Sequence, residues 1–120
     1  MTGTSHRVDR LADQIRGEVA ALISEDLRDP RIGFTTVTRV ELTADLHYAR
    51  IWVSVLGDSA AQQCTIEGLG SAAAYIRRGL GHRLRLRRVP ELAFVLDHGP
   101  EEGIHLEEVL ENLHKEENRE

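Results

Sequence analysis

Cysteine is almost missing from this chain. Cys64 is the single one, which excludes an intramolecular disulfide and points to a reducing compartment such as the cytoplasm. Lysine is just as scarce: of the 15 Lys and Arg residues, only Lys115 is lysine. Aromatic residues make up 4% of the chain. No apolar run approaches the length of a membrane span. The opening "MTGTSHRVDRLADQ" lacks the apolar stretch of a secretory signal, so none is expected. Catalytic signatures are missing as well: there is no Walker A loop, no GxGxxG and no GxSxG. "GLGSAAA" at 68–74 has the look of a phosphate loop, but it has no P-loop lysine and sits inside a helical rhythm. His6, His47, His82, His98, His105 and His114 are scattered, without HxxxH or Cys-x-x-Cys spacing. No metal, no cofactor and no enzyme activity are expected.

What remains is a chain of 120 residues, the size of one compact domain with its own core. Its charge is unevenly spread. Residues 1–90 hold thirteen Arg against ten acids, a net of +3; residues 91–120 hold two cations against ten acids, a net of −8, which recovers the total of −5. The acidic stretch is concentrated at 101–120. Arginine suits planar, bidentate phosphate contacts better than lysine does. A GC-rich genome would produce the same bias.

Residues 5–27 read as a helix, with Val8, Leu11, Ile15, Val19, Leu22 and Ile23 along one face and Ser5 or Thr4 as cap. Pro30 ends it. "FTTVTRVELT" at 34–43 reads as a strand, "ADL" at 44–46 as a tight reversal, and residues 46–56 as a second, antiparallel strand. On that second strand Ala49, Ile51, Val53 and Val55 form a buried face, and Tyr48, Arg50, Trp52 and Ser54 a more polar one. That polar row could stack bases, cover a partner protein, shield a thin sheet or lie under a chain terminus. "SAAQ" at 59–62 has capping-box spacing. The helix that follows is long and carries Gly68, Gly70, Gly79 and Gly81, so a break near 70–75 should give two helices. Cys64, within it, reads as a small buried hydrophobe. "LAFVLD" at 92–97 is a third strand, "HGPEEG" a turn, and 104–114 a short terminal helix. The order α-β-β-α-α-β, plus that helix, implies one α+β domain over 1–120. It should have a three-stranded sheet with helices on one face.

The stretch "YIRRGLGHRLRLRRVP" at 75–90 stands out in an acidic chain: its charged residues are all cationic. Continued as a helix at about 100° per residue, it puts Arg77, Arg78, Arg85 and Arg88 within about 100° of one another. Leu69, Ile76, Leu80 and Leu84 take a separate face. Arg83 falls beside the apolar face, and Arg87 past the helix end. Like charges so close repel by a few tenths of a kcal/mol per pair, unless a polyanion meets them. The alternative is a solvated face, screened by salt or paired with acids such as Asp9, Asp13 or the tail.

Three segments together resemble the ribosome-binding factor A family, bacterial assembly factors of the small ribosomal subunit. They are "DPRIGFTTVTRVELTADLHYARIWVSVLG" at 29–57, "TIEGLGSAAAYIRRGLGHRLRLRRVPELAFVLD" at 65–97 and, more weakly, "HRVDRLADQIRGEVAALI" from His6. The resemblance implies a KH-like domain of the second type. A typical KH domain grips RNA with a GxxG loop. This chain lacks one there, and where the family carries an Ala-x-Gly kink it has Ala72, Ala73 and Ala74. The resemblance further implies a monomeric, cytoplasmic and non-catalytic factor. Such a factor binds free small subunits late in maturation, assists 5′-end processing of their ribosomal RNA and leaves before translation. Arg77, Arg78, Arg85 and Arg88 would contact phosphate, with Arg83 and Arg87 as neighbours and Arg7 and Arg10 as further candidates. The competing reading is a protein-interaction module that uses the Tyr48 and Trp52 sheet face.

Overall fold

The apolar rhythm of the N-terminal segment forms α1 (Gly3–Glu25), and the β-branched segments form β1 (Thr35–Leu42) and β2 (Tyr48–Val55). Then come α2 (Ser59–Ser71), α3 (Ala73–Leu84) and β3 (Glu91–Leu96). This is a computed structural model; it describes residues 3–98, with side chains from Arg7 onward. The expected helix over 104–114 and the acidic stretch at 101–120 lie outside the described residues, while Thr4 and Ser5 fall inside α1, which already runs from Gly3, so neither occupies the cap position before it. The observed element order is the one the sequence predicts.

The sheet runs β1-β2-β3, with β1 and β2 antiparallel and β2 and β3 parallel. Parallel neighbours cannot be joined by a hairpin, so α2 and α3 make the crossover. Ala49, Ile51, Val53 and Val55 form the inner face of β2, as expected from their alternation. They pack with Ile15, Val19 and Leu22 of α1, Leu69 of α2 and Ile76 and Leu80 of α3 in one core. The register of β1 slips between Val37 and Arg39, a bulge that local alternation did not reveal. It lets Val37 and Val40 both face inward, opposite Val53 and Ile51.

The helix glycines mark close approaches. A Cβ at Gly79 would stand 2.8 Å from Leu22 Cδ2, where α3 crosses α1. A Cβ at Gly68 would stand 2.8 Å from Ile32 Cγ1, where the 29–33 loop lies on α2. That loop is tied down further by the buried Thr65, whose hydroxyl accepts from Gly33 N–H (3.1 Å) and donates to Arg31 O (3.3 Å).

The break between the crossover helices falls at Ala72, with φ −90° and ψ 0°. Its N–H bonds to both Gly68 O and Leu69 O. Because φ stays negative, alanine can occupy the corner without strain. The start of α2 corrects one expectation. Asp58, not Ser59, is the cap: its carboxylate accepts from Ala61 N–H at 2.9 Å. Gln62, one position too far along for a capping box, donates to Gly57 O at 3.2 Å instead.

Candidate nucleic-acid interface

Helix α3 stops at Leu84, a turn earlier than its arginine rhythm suggests. Arg85 takes the left-handed conformation (φ 55°, ψ 44°) and reverses the chain. The N–H groups of Arg85 and Leu86 both bond to Gly81 O. Arg85, Arg87 and Arg88 therefore belong to a loop, and the expected single stripe of Arg77, Arg78, Arg85 and Arg88 along one helix is not what forms. Arg83, Arg85, Arg87 and Arg88 lie in or just past the last turn of α3, and Arg77 and Arg78 in its middle.

Their side chains fall into distinct settings. Arg77 is half-buried and donates to Val89 O (3.0 Å) and Pro90 O (3.1 Å), pinning the loop to the helix. Arg83 reaches α1, with 3.2 Å to Glu18 and 3.8 Å to Glu25. Arg88 is exposed and donates to the ring of His47. Arg78, Arg85 and Arg87 are exposed and have no hydrogen bond or ion pair among the described residues. Arg7 and Arg10 are exposed on α1. They stand apart, since α1 rises about 12 Å from Arg10 to Glu18, where Arg83 docks.

Local electrostatics hold the surrounding turns. The Asp29 carboxylate accepts from Arg31 N–H and from its guanidinium, with a shortest contact of 2.6 Å, and Arg31 holds its pKa below the usual carboxylate value. Asp45 accepts from the Thr43 hydroxyl (2.7 Å) and from His47 N–H (3.0 Å), and the Thr43 bond leads in lowering its pKa. These bonds shape the turn between β1 and β2, where Leu46 takes φ 63°. Tyr75, next to Ile76 of the core, donates its hydroxyl to Asp26 at 2.8 Å, which raises the phenol's pKa.

Burial decides among the roles left open for the polar row of β2: Trp52 is 2% and Arg50 4% exposed, as a shielding or covered row would be. The Arg39 guanidinium lies 5.0 Å from the Trp52 ring centroid. Trp52 is thus unavailable for stacking on a base, while Tyr48 in the same row is half-buried and Ser54 exposed. Cys64 is exposed rather than buried, because it lies on the solvent side of α2, next to buried Thr65.

The sequence reading also missed His47. The parallel pairing of Tyr48 with Glu91 brings His47 alongside the 85–90 loop, where Arg88 meets it. Among the described residues, no cluster of His, Cys, Asp or Glu could hold a metal ion. No described helix is long and apolar enough to cross a membrane.

Comparison with known proteins adds sequence and fold. The family model described as ribosome-binding factor A matches residues 7–110. The ribosome-binding factor A of Desulforamulus reducens is 45% identical over 113 residues, covering 94% of each chain. The crystal structure of ribosome-binding factor A from Thermus thermophilus superposes with a TM-score of 0.69 at 26% identity, covering 78% of this chain and 99% of that one. A homology model of the Thermus thermophilus factor, fitted into the cryo-EM map of a 30S complex, gives a TM-score of 0.59 at 28% identity, covering 70% and 88%.

Proposed function

Because the chain belongs to the ribosome-binding factor A family, we propose that it binds free small ribosomal subunits and assists the late maturation and 5′-end processing of their ribosomal RNA. It acts as a non-catalytic monomer in the cytoplasm. One observation carries the assignment of the contact surface: Arg85 and Arg87 stand exposed and unpaired among the described residues just past the C-terminal end of α3, with Arg88 next in the loop and Arg78 likewise exposed and unpaired in the middle of the helix. Arginines not paired with a carboxylate raise the local potential, and a phosphate backbone with its condensed counterions relieves it. Such contacts position the protein on RNA without reading sequence. The factor favours the RNA conformer whose phosphates match the cluster, and so shifts folding by differential binding rather than by chemistry.

Sedimentation of the tagged chain with purified small subunits, and separately with whole ribosomes, tests the reading. Association with free small subunits is expected, and it should weaken steeply as salt rises. The combined variant Arg78→Glu, Arg85→Glu and Arg87→Glu should fold and fail to co-sediment. Normal co-sedimentation of that variant would reject this surface, and no co-sedimentation of the unaltered chain would reject the function.

A further inference from the structure

We propose that the cleft between the start of β2 and the 85–91 loop is a subsite for one unstacked guanine nucleotide of the bound RNA. The inference rests on the RNA-binding reading above and adds a base-selective element to it. The cleft has a volume of about 240 Å³ and is lined by His47, Tyr48, Arg77, Arg88, Val89 and Glu91. Pockets for drug-sized ligands have volumes of roughly 300–1,000 Å³, so this smaller space suits a single base with part of its ribose.

The walls are set before any ligand arrives. The His47 and Tyr48 rings lie edge to face, with centroids 6.4 Å apart and planes at 72°. Arg88 can only donate, so the His47 nitrogen it meets, Nε2, carries the lone pair. Nδ1 faces Asp45 Oδ2 at 3.6 Å, beyond hydrogen-bond reach, so the ring is held at its Nε2 end by Arg88. Arg77, which also lines the cleft, is held by its bonds to Val89 O and Pro90 O. Glu91 N–H donates to His47 O at 2.8 Å, placing the Glu91 side chain at the same cleft.

Glu91 supplies the discrimination. It is exposed and forms no ion pair among the described residues, although Arg77 and Arg88 line the same space. A carboxylate only accepts. Guanine alone among the four bases offers it two adjacent donors, N1–H and the N2 amino group. Cytosine and adenine offer one amino group each, and uracil one imino hydrogen. The guanidinium hydrogens that Arg88 does not use on His47 remain for the phosphate of the same nucleotide. Arg85 and Arg87 precede Arg88 in the same loop, so one RNA strand could meet all three arginines and place a splayed nucleotide in the cleft.

Titration of the full chain with 5′-GMP, 5′-CMP, 5′-AMP and 5′-UMP, followed by NMR at the His47 and Tyr48 rings and the Glu91 amide, tests the subsite. GMP should bind about tenfold more tightly than UMP, the discrimination expected of a good bidentate pair. Glu91→Gln should bring GMP down to the level of the other nucleotides. Equal affinity for all four, undetectable GMP binding, or shifts confined to residues outside the cleft would overturn the proposal. So would an undiminished GMP preference in Glu91→Gln. Co-sedimentation with small subunits is scored separately: its loss in the unaltered chain overturns the ribosomal reading, and its presence without a GMP preference overturns the subsite alone.

Discussion

The Arg83 guanidinium lies 3.2 Å from the Glu18 carboxylate, joining α3 to α1 across their packed faces. Both side chains are about one-third exposed, so the pair contributes only about 0.5 kcal/mol to stability. The pairing also uses donors that a phosphate would need. Arg83→Ala should therefore lower the urea midpoint slightly and leave co-sedimentation with small subunits unchanged. A large loss of co-sedimentation would restore Arg83 to the RNA-contacting set.

Arg85 combines two effects that a single substitution separates. Its left-handed backbone costs about 1 kcal/mol relative to glycine, which adopts that conformation freely. Arg85→Gly should raise stability by about that amount in urea denaturation. It should also reduce the salt dependence of RNA binding by about one phosphate contact, roughly 0.7–0.9 in the slope of log K against log salt. A protein that gains stability but keeps its full salt slope would show that Arg85 is only the helix terminator.

The element order was legible because each helix and strand carries its own short period, such as Ile15–Val19–Leu22 or Ala49–Ile51–Val53–Val55. The arginine arrangement was less so. Arg77 and Arg78 lie on α3 as the helical angle predicts, but Arg85 and Arg88 lie beyond a stop made by one residue's backbone and the Gly81 carbonyl. Nothing in a helical wheel encodes that stop. Trp52 looked solvent-facing by alternation alone, yet burial depends on what lies across a face, and the bulge at Thr38 swings Arg39 over its ring. The meeting of His47 and Arg88 depends on the parallel register of β2 and β3, a relation between distant segments that local periodicity does not carry.

The Asp29–Arg31 pair sets an acid limit on the loop that carries Ile32 and Gly33. Arg31 lowers the Asp29 pKa in the folded chain, and unfolding restores it to the ordinary value of 3.8. A depressed carboxylate stabilises the fold above the unfolded pKa, and that contribution disappears as pH falls through the folded value. The stability difference between the unaltered chain and Arg31→Met should thus be constant from pH 7 to about pH 5 and shrink below pH 4. Urea midpoints measured across that range check it; a difference that persists undiminished at pH 2 would show that Arg31 acts through packing instead.

Gly79 sets two known effects of opposite sign against each other. Alanine in a helix interior is favoured over glycine by about 1 kcal/mol. At this position, however, the added methyl would come 2.8 Å from Leu22 Cδ2 and 3.0 Å from Leu22 Cδ1. Leu22 is 1% exposed and enclosed by the core, so it has little room to move away. Overpacking of this kind costs about 1–3 kcal/mol. The steric cost should prevail, and Gly79→Ala should unfold at lower urea concentration than the unaltered chain. Shortening the neighbour relieves the clash, so Leu22→Val in the Gly79→Ala background should cost less than Leu22→Val alone. That non-additivity, measured as a double-mutant cycle, separates a steric conflict between α1 and α3 from any general intolerance of substitution. Strictly additive effects would show that the two helices can part far enough to admit the methyl group.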